Sequence, residues 1–389
     1  MNLKTLFLLR PDMTFLNHGS FGACPRPVFE AYQAWQRELE LQPVEFLGRR
    51  FNDLMAHARS RLAAYLGAGA DNIVFVPNAT TGVNIVAHSL ALRPGDEVLA
   101  TDHEYGATDR AWRLLCRKQG AVYINQPIPL PVTTPEAVLE QLWAGVTPRT
   151  RAIFISHISS PTALTWPVQA ICQRARAAGI LTVVDGAHAP GQIPLNLLDL
   201  GADFYTGNCH KWLCAPKGAG FLFARPEVQH LIEPLIVSWG WESENPGPSR
   251  FIDYLEWTGT HDIAAYLSVP AAIDFQAAHD WERVRLACHE IIKQAQQRIN
   301  ALTGMAPICP DAHGWQQQMA AMRLPACDAA ALKVQLWEAW RIEAPIITWN
   351  GEPFVRVSVQ GYNDEADIER LVEALAALLP AVQAPASNG

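Results

Sequence analysis

No CxxC pair occurs among the eight cysteines of this 389-residue sequence, which fall at positions 24, 116, 172, 209, 214, 288, 309 and 327. A zinc ribbon or a dense disulfide framework is therefore not expected, and reduced thiols in a cytoplasmic protein are the simpler reading. Long apolar runs are missing too. Leu6 to Leu9 is cut short by Arg10-Pro11-Asp12 before a signal-peptide core could form, and no stretch approaches the roughly 20 apolar residues of a membrane helix. Basic residues are in deficit, 30 Lys and Arg against 38 Asp and Glu, for a net charge of −8. That balance argues against nucleic acid or an anionic membrane as partner, because either needs a basic footprint to displace counterions. Gly67-Ala-Gly69 and Gly218-Ala-Gly220 are GxG fragments without the rest of a dinucleotide fingerprint. Neither an internal repeat nor a low-complexity tract is evident.

With 49% hydrophobic and 17% charged residues, the chain reads as globular, and its length predicts two or three domains. Between about residues 70 and 225, short apolar runs alternate with helical patterns, the signature of an α/β doubly wound sheet. The expected strands are Ile73–Val76, Glu97–Ala100, Val122–Asn125, Ala152–Ser156, Leu181–Asp185, Phe204–Thr206 and Gly220–Ala224. Pro27–Leu39 and Phe51–Leu66 read as lead-in helices. Leu235–Asp262, with Trp239, Trp241 and Trp257, reads as a functional loop at the substrate entrance, followed by a long helix through Arg298. Expected strands Met319–Leu324, Ile342–Ile347 and Phe354–Val359, with helices Ala329–Trp340 and Asp364–Leu379, make a small α+β domain; Ala384–Gly389 reads as a frayed tail. The predicted division is an N-terminal arm over 1–20, a large α/β domain over 21–270, and a connecting helix with the small domain over 271–389.

Three segments carry chemistry. In Phe204-Tyr-Thr-Gly-Asn-Cys-His-Lys211-Trp, a strand ends in a polar turn holding a lysine beside an apolar tryptophan. An arbitrary lysine belongs on the surface, but one desolvated at a sheet edge can lose its proton and serve as a Schiff-base nucleophile. Lys217, between Pro216 and Gly218, is assigned the structural role. Upstream, Leu181-Thr-Val-Val leads into Asp185-Gly-Ala-His188, placing a carboxylate where α/β sheets bind ligands. Asp185 could cap the next helix; paired with Lys211 it suits the partner of a pyridinium nitrogen. Third, Phe75-Val-Pro-Asn-Ala79-Thr80-Thr81-Gly82 runs from a strand into a helix whose first N–H groups could cradle an anion, although capping by Asn78 or Thr80 explains it equally well. A rival reading uses Asp102, His103, Asp185, His188 and His210 as metal-capable groups of a hydrolase, which leaves Lys211 and the third segment unexplained.

Together with Phe15-Leu-Asn-His-Gly-Ser-Phe-Gly22, Gly207-Asn-Cys-His-Lys211 and Arg356-Val-Ser358, these segments give the sequence a resemblance over nearly its whole length to the class V aminotransferase group of fold-type I pyridoxal-phosphate enzymes, and within it to the isopenicillin N epimerase-like branch. The resemblance implies a large, mostly parallel-sheet domain plus a small α+β C-terminal domain, with pyridoxal 5'-phosphate as cofactor and no metal. It implies that Lys211 forms the Schiff base, that Asp185 pairs with the pyridine nitrogen, and that His188 bonds the ring oxygen. Ala79 and Thr80 match the phosphate turn, completed by Asn208 and His210. Thr260 matches a phosphate contact from a second subunit, hence a homodimer. Tyr105, with His103 second, matches the residue stacked on the cofactor ring; Arg356 matches the clamp for a substrate carboxylate, with Asn17 and His18 also on the substrate side.

The implied chemistry is proton removal from an amino acid's α-carbon by Lys211, through an external aldimine and a quinonoid. Reprotonation on the opposite face, with Tyr105 or a water as second acid, gives an epimerase; loss of a β-thiol or sulfenate gives a carbon–sulfur lyase; protonation at the cofactor carbon gives a transaminase. The epimerase is favoured. One departure bears on this: desulfurases of the group carry a persulfide-forming cysteine shortly before the arginine, and Ile346-Ile-Thr-Trp-Asn-Gly-Glu-Pro353 has none.

Overall fold

Short segments that are apolar at nearly every position have no polar face to turn to water, and they form the centre of the molecule as strands covered on both sides. The computed structural model, which describes residues 3–312 and 314–382, contains a seven-stranded sheet. Its strands are β1 (Ile73–Val76), β2 (Glu97–Thr101), β3 (Val122–Gln126), β4 (Thr150–Ser156), β5 (Leu181–Gly186), β6 (Phe204–Asn208) and β7 (Gly220–Ala224), in the spatial order β1-β7-β6-β5-β4-β2-β3. From β3 to β6 all pairings are parallel, and β7 runs antiparallel to both β6 and β1. Alternate side chains go to opposite faces. Val74, Val98, Phe154, Val183, Phe204 and Leu222 join one apolar cluster, while Phe75, Leu99, Ile153, Val184, Tyr205 and Phe221 join another. Burial of each large side chain contributes roughly 1.5–3 kcal/mol, so this double coverage fixes strand register.

Helices α1 (Arg26–Leu41), α2 (Phe51–Leu66), α3 (Ala79–Ser89), α4 (Gly106–Gln119), α5 (Pro135–Trp143) and α6 (Val168–Ala177) belong to this part of the chain, followed by α7 (Val269–Ala278) and α8 (Trp281–Thr303). The long helix expected through Arg298 is interrupted at His279-Asp280, where Asp280 has φ +46°, a conformation no helix interior accepts. The tryptophan segment holds a short helix, Arg250–Glu256, opened by Ser249 accepting from the Ile252 N–H.

A three-stranded antiparallel sheet, β8 (Met319–Arg323), β9 (Ile346–Trp349) and β10 (Glu352–Ser358) in the order β9-β10-β8, forms with α8, α9 (Ala329–Trp340) and α10 (Glu365–Val382) the C-terminal part. The single strand expected over Ile342–Ile347 is two, split around Ala344-Pro345. Ile342–Glu343 pairs with Thr14–Phe15 of the N-terminal arm, and Ile346 onward pairs with β10. Leu16 and Asn17 thereby reach Ser358, which ties the arm to the last strand. The expected tail, Ala384–Gly389, lies outside the described residues. Among the described residues no helix is long and apolar enough to cross a membrane.

Candidate active site

The carboxyl ends of β4, β5 and β6, the first turn of α3 and the arm enclose a cavity of about 230 Å³. Asp185 lies at the carboxyl end of β5 and His188 follows it, Asn208 ends β6, and His210 and Lys211 lie in the loop to β7; all five line it, with Ala79, Thr80 and Tyr105. The arm approaches at Gly22 (φ +71°), where a Cβ would meet the His210 carbonyl oxygen at 2.0 Å and the Lys211 Cα at 2.9 Å. Only glycine permits this approach.

Lys211 Nζ lies 3.2 Å from His188 Nε2. Burial, and then the Arg356 guanidinium, drive its pKa down against the opposing pull of Asp185. This favours the free amine, the form that acts as nucleophile or base. Asp185 is 3% exposed, and its Oδ1 accepts the Ala187 N–H at 3.0 Å. Burial raises its pKa, partly offset by that hydrogen bond and by Lys211. His188 is pushed well below the usual histidine range by burial and by the charges of Lys211 and Arg356, and is neutral.

At the start of α3, Asn208 Oδ1 accepts the Ala79 N–H at 2.8 Å and Asn78 Oδ1 the Thr81 N–H at 2.9 Å. Asn78 therefore caps the helix, as its type allows, and the two asparagines orient the turn on either side of Thr80. His210 Nδ1 donates to the Ala219 carbonyl at 2.9 Å, leaving Nε2 as its remaining polar ring atom; burial lowers its pKa to about 4.

Arg356, 4% exposed, stands behind the cavity wall. Its Nη1 donates to the Ser160 carbonyl at 2.7 Å and to Ser160 Oγ at 3.2 Å, and its Nη2 donates to Ser20 Oγ at 3.1 Å; both serines line the cavity. Its Nε is buried without a partner among the described residues. Asn78 was named from sequence only as a candidate helix cap, and Ser20, Ser156 and Ser160 were not singled out as site residues. Ser20 lay within the Phe15–Gly22 segment and Ser156 at the end of an expected strand, and isolated serines carry no spacing signal.

Several candidates fall elsewhere. His18 is fully buried and bonded on both ring nitrogens, to the Tyr362 hydroxyl at 2.9 Å and the Lys211 carbonyl at 3.0 Å. It is thus a support for the Lys211 backbone and not a substrate contact. Asn17 likewise faces away, donating to Glu343 at 3.0 Å and accepting from Ser20 Oγ. His103, the second choice for ring stacking, is buried against Thr162 and the Ile128 carbonyl, each at 2.8 Å. Tyr105, in contrast, is 47% exposed and lines the cavity from the residue before α4. Thr260 sits in an exposed loop outside the cavity. Lys217 donates to the Gly22 carbonyl at 2.9 Å, a structural contact. Among the described residues no three His, Cys, Asp or Glu side chains are grouped to hold a metal ion; of the hydrolase reading, Asp185, His188 and His210 share the cavity, and Asp102 and His103 do not line it.

Below Tyr105, Glu104 is buried and joins two strand ends. Its Oε1 accepts from Thr101 Oγ1, and its Oε2 accepts from the Ser156 N–H at 2.8 Å and Ser156 Oγ at 2.6 Å. Burial pushes its pKa up to about 7.

These residues fit pyridoxal 5'-phosphate on a specific ground: Asp185 is a buried carboxylate that forms no ion pair among the described residues, and such a group calls for a cation, which a protonated pyridine supplies. A strand-end carboxylate and a lysine of lowered pKa on one cavity of a mostly parallel sheet define a pyridoxal-phosphate enzyme of fold type I. Residues 22–371 match the family model "Aminotransferase class-V", and the chain belongs to that family; its cofactor is pyridoxal 5'-phosphate.

Among curated proteins the chain is 40% identical to isopenicillin N epimerase of Amycolatopsis lactamdurans, covering 96% of this chain and 97% of the relative. It is 30% identical to a putative L-cysteine desulfhydrase of Oryza sativa subsp. japonica, over 92% of this chain and 82% of that one. Among solved structures, a complex of the cystine C–S lyase C-DES with cysteine persulfide superposes with a TM-score of 0.81 at 24% identity, covering 94% and 98% of the two chains. The cysteine desulfurase CsdA of Escherichia coli gives 0.80 at 21% identity, covering 98% of each. At these identities the structural likeness is one of fold.

Proposed function

We propose that this enzyme epimerises an amino-acid α-carbon, with a substrate of the isopenicillin N type. The observation that carries the reading is the 40% identity to an isopenicillin N epimerase across almost the full length of both chains. Local chemistry supports it. Pyridoxal phosphate, when bound, supplies an electron sink for the charge left at the α-carbon. Lys211, held as a free amine, removes the α-proton as general base. Asp185 would keep the ring nitrogen protonated, and His188 would hydrogen-bond the ring oxygen. Ala79, Thr80, Asn208 and His210 would receive the phosphate, Tyr105 would stack on the ring, Tyr105 or a water would return the proton from the opposite side, and Arg356 would hold a substrate carboxylate through its planar fork.

The same reading includes a homodimer in which Thr260, exposed in the single chain, reaches the partner's phosphate. It includes the division at residues 20 and 270, and a cytoplasmic location, which the unpaired state of all eight cysteines supports. A carbon–sulfur lyase is the second reading, favoured by the 30% identity to the rice desulfhydrase.

The test is incubation of the holoenzyme in deuterated water with isopenicillin N and, separately, with L-cysteine. Inverted, α-deuterated isopenicillin N is the expected product. Release of a 2-oxo acid and sulfide from cysteine, with isopenicillin N untouched, would replace the epimerase by the lyase.

A further inference from the structure

His188 meets two neighbours along opposite edges of its ring. Trp212 Nε1 lies 3.3 Å from Nδ1, and Lys211 Nζ lies 3.2 Å from Nε2. An indole nitrogen donates and cannot accept, so Nδ1 must be the acceptor and carry no proton. A neutral imidazole has a single N–H, which is therefore on Nε2, the edge facing Lys211.

We propose that Trp212 is a positioning residue that locks His188 in the Nε2–H tautomer, making it an obligatory hydrogen-bond donor toward the reacting end of Lys211 and toward the cofactor oxygen that takes its place. The inference rests on the reading of Lys211 and His188 as cofactor residues. It assigns the donor role to a neighbour outside the cavity, and it makes the Lys211 amine the acceptor, which requires its unprotonated form.

Trp212 is built to hold this angle. It is fully buried among Ile158, Ala163 and Met319. Its ring packs on His18 with centroids 4.9 Å apart, and its carbonyl accepts from Gln276 Nε2 at 2.9 Å. His18 in turn holds the Lys211 carbonyl, so the lysine and the tryptophan beside it are fixed from the same side. A second proton on His188 would have to enter at Nδ1 and break the Trp212 bond. The titratable groups facing the ring are Lys211, Arg356 and His18; with Lys211 and His18 unprotonated, the Arg356 guanidinium opposes a positive charge on it.

The experiment is nitrogen NMR of the holoenzyme labelled with ¹⁵N-histidine, with the His188 signals assigned by their loss in His188→Gln. The expected result is a pyridine-type Nδ1 and a pyrrole-type Nε2 in the unaltered protein, unchanged across neutral pH. A protonated Nδ1 would overturn the lock. Trp212→Phe is then compared in the native and His188→Gln backgrounds, reading the apparent pKa of the visible cofactor band. A glutamine amide donates whatever its neighbour does, so a shift of about one pH unit is expected in the native background and none in His188→Gln. Equal shifts in both would overturn the lock in favour of a purely structural Trp212. The NMR arm needs no tryptophan variant and stands if Trp212→Phe does not fold. Absence of a visible band from the unaltered protein with added cofactor would overturn the underlying reading, whereas a normal band with the wrong tautomer overturns the lock alone.

Discussion

Arg356 Nη2 donates to Ser20 Oγ across 3.1 Å, joining the last strand of the C-terminal sheet to the N-terminal arm over 336 positions of sequence. Nη1 is held by Ser160, so both ends of the fork are occupied by neutral oxygens. A carboxylate is the stronger acceptor, and a bound substrate would draw the fork from these serines. Arg356→Lys, which keeps charge but loses the planar fork, is expected to raise KM by about 10- to 100-fold, equivalent to roughly 1.5–3 kcal/mol for a charge-assisted hydrogen bond. Ser20→Ala should change KM several-fold at most. Steady-state kinetics on both variants checks the difference; an unchanged KM in Arg356→Lys would remove the arginine from substrate binding.

Lys211→Ala is expected to abolish the visible band and to lower turnover by at least ~10²–10⁴-fold, the range for loss of a general base. Asp185→Ala should retain bound cofactor but lose on the order of 10²–10³-fold in turnover, as for removal of a preorganised electrostatic partner. Absorbance spectra with parallel rates distinguish the two roles. Full turnover in either variant would refute the assignment.

Glu104 gives the protein a pH dependence of definite sign. Burial raises its carboxyl pKa to about 7 from an ordinary value of 4.5, with nearby Asp185 adding to the rise. The folded state therefore prefers the protonated acid. Its contribution is full below about pH 4.5 and is lost as pH rises through about 7, for a total on the order of 3 kcal/mol. Glu104→Gln, neutral at every pH, lacks this loss. Relative to Glu104→Gln, the native protein is expected to lose stability between pH 5 and about 8, measured by denaturant unfolding of both proteins at each pH. Parallel stability curves would show that Glu104 titrates as an ordinary surface acid.

The same contacts explain what the sequence could reveal. β1 and β7 were legible to the residue, because four or five consecutive apolar positions leave a strand little choice but burial on both faces. The placement of Asp185 and Lys211 on one cavity was legible because Asp185 lies at the carboxyl end of β5 and Lys211 shortly after β6, where α/β sheets bind ligands. The split of Ile342–Ile347 was not: the two halves differ only in which distant strand each pairs with. Asn17 and His18 were misplaced for a similar reason. Their partners Glu343 and Tyr362 lie 326 and 344 positions away, and no local pattern announces them. Glu104 was passed over beside Tyr105 because its burial depends on Ser156, 52 positions distant.

A protein-bound persulfide is not expected. The turn from Ile346 to Pro353 has no cysteine, and it is fixed to the end of β2: Trp349 Nε1 donates to the Asp102 carbonyl and Asn350 Nδ2 to Asp102 Oδ2, each at 3.0 Å. Of the eight thiols, six are buried and only Cys24 and Cys327 are partly open, and burial raises the pKa of both against the thiolate a sulfur acceptor needs. Intact-mass spectrometry after incubation with L-cysteine should show no added sulfur; a stoichiometric adduct removed by dithiothreitol would restore persulfide chemistry.

Subunit mixing tests the placement of Thr260. On the proposed homodimer, Lys211→Ala and Thr260→Ala dimers are each expected to be impaired, the first in its base and the second in its phosphate contact. If Thr260 serves the opposite site, a mixed dimer has one site lacking both groups and one with native Lys211 from its own chain and native Thr260 from the partner. Co-unfolding and refolding equal amounts should then yield mixed dimers as half of the population, each with one native site. Activity should rise above the average of the two parents, toward a quarter of native per site. If Thr260 serves its own chain, no mixed site has both groups, and activity should stay at the parental average. Native turnover and cofactor affinity in the Thr260→Ala homodimer itself would show that the loop makes no phosphate contact in either subunit.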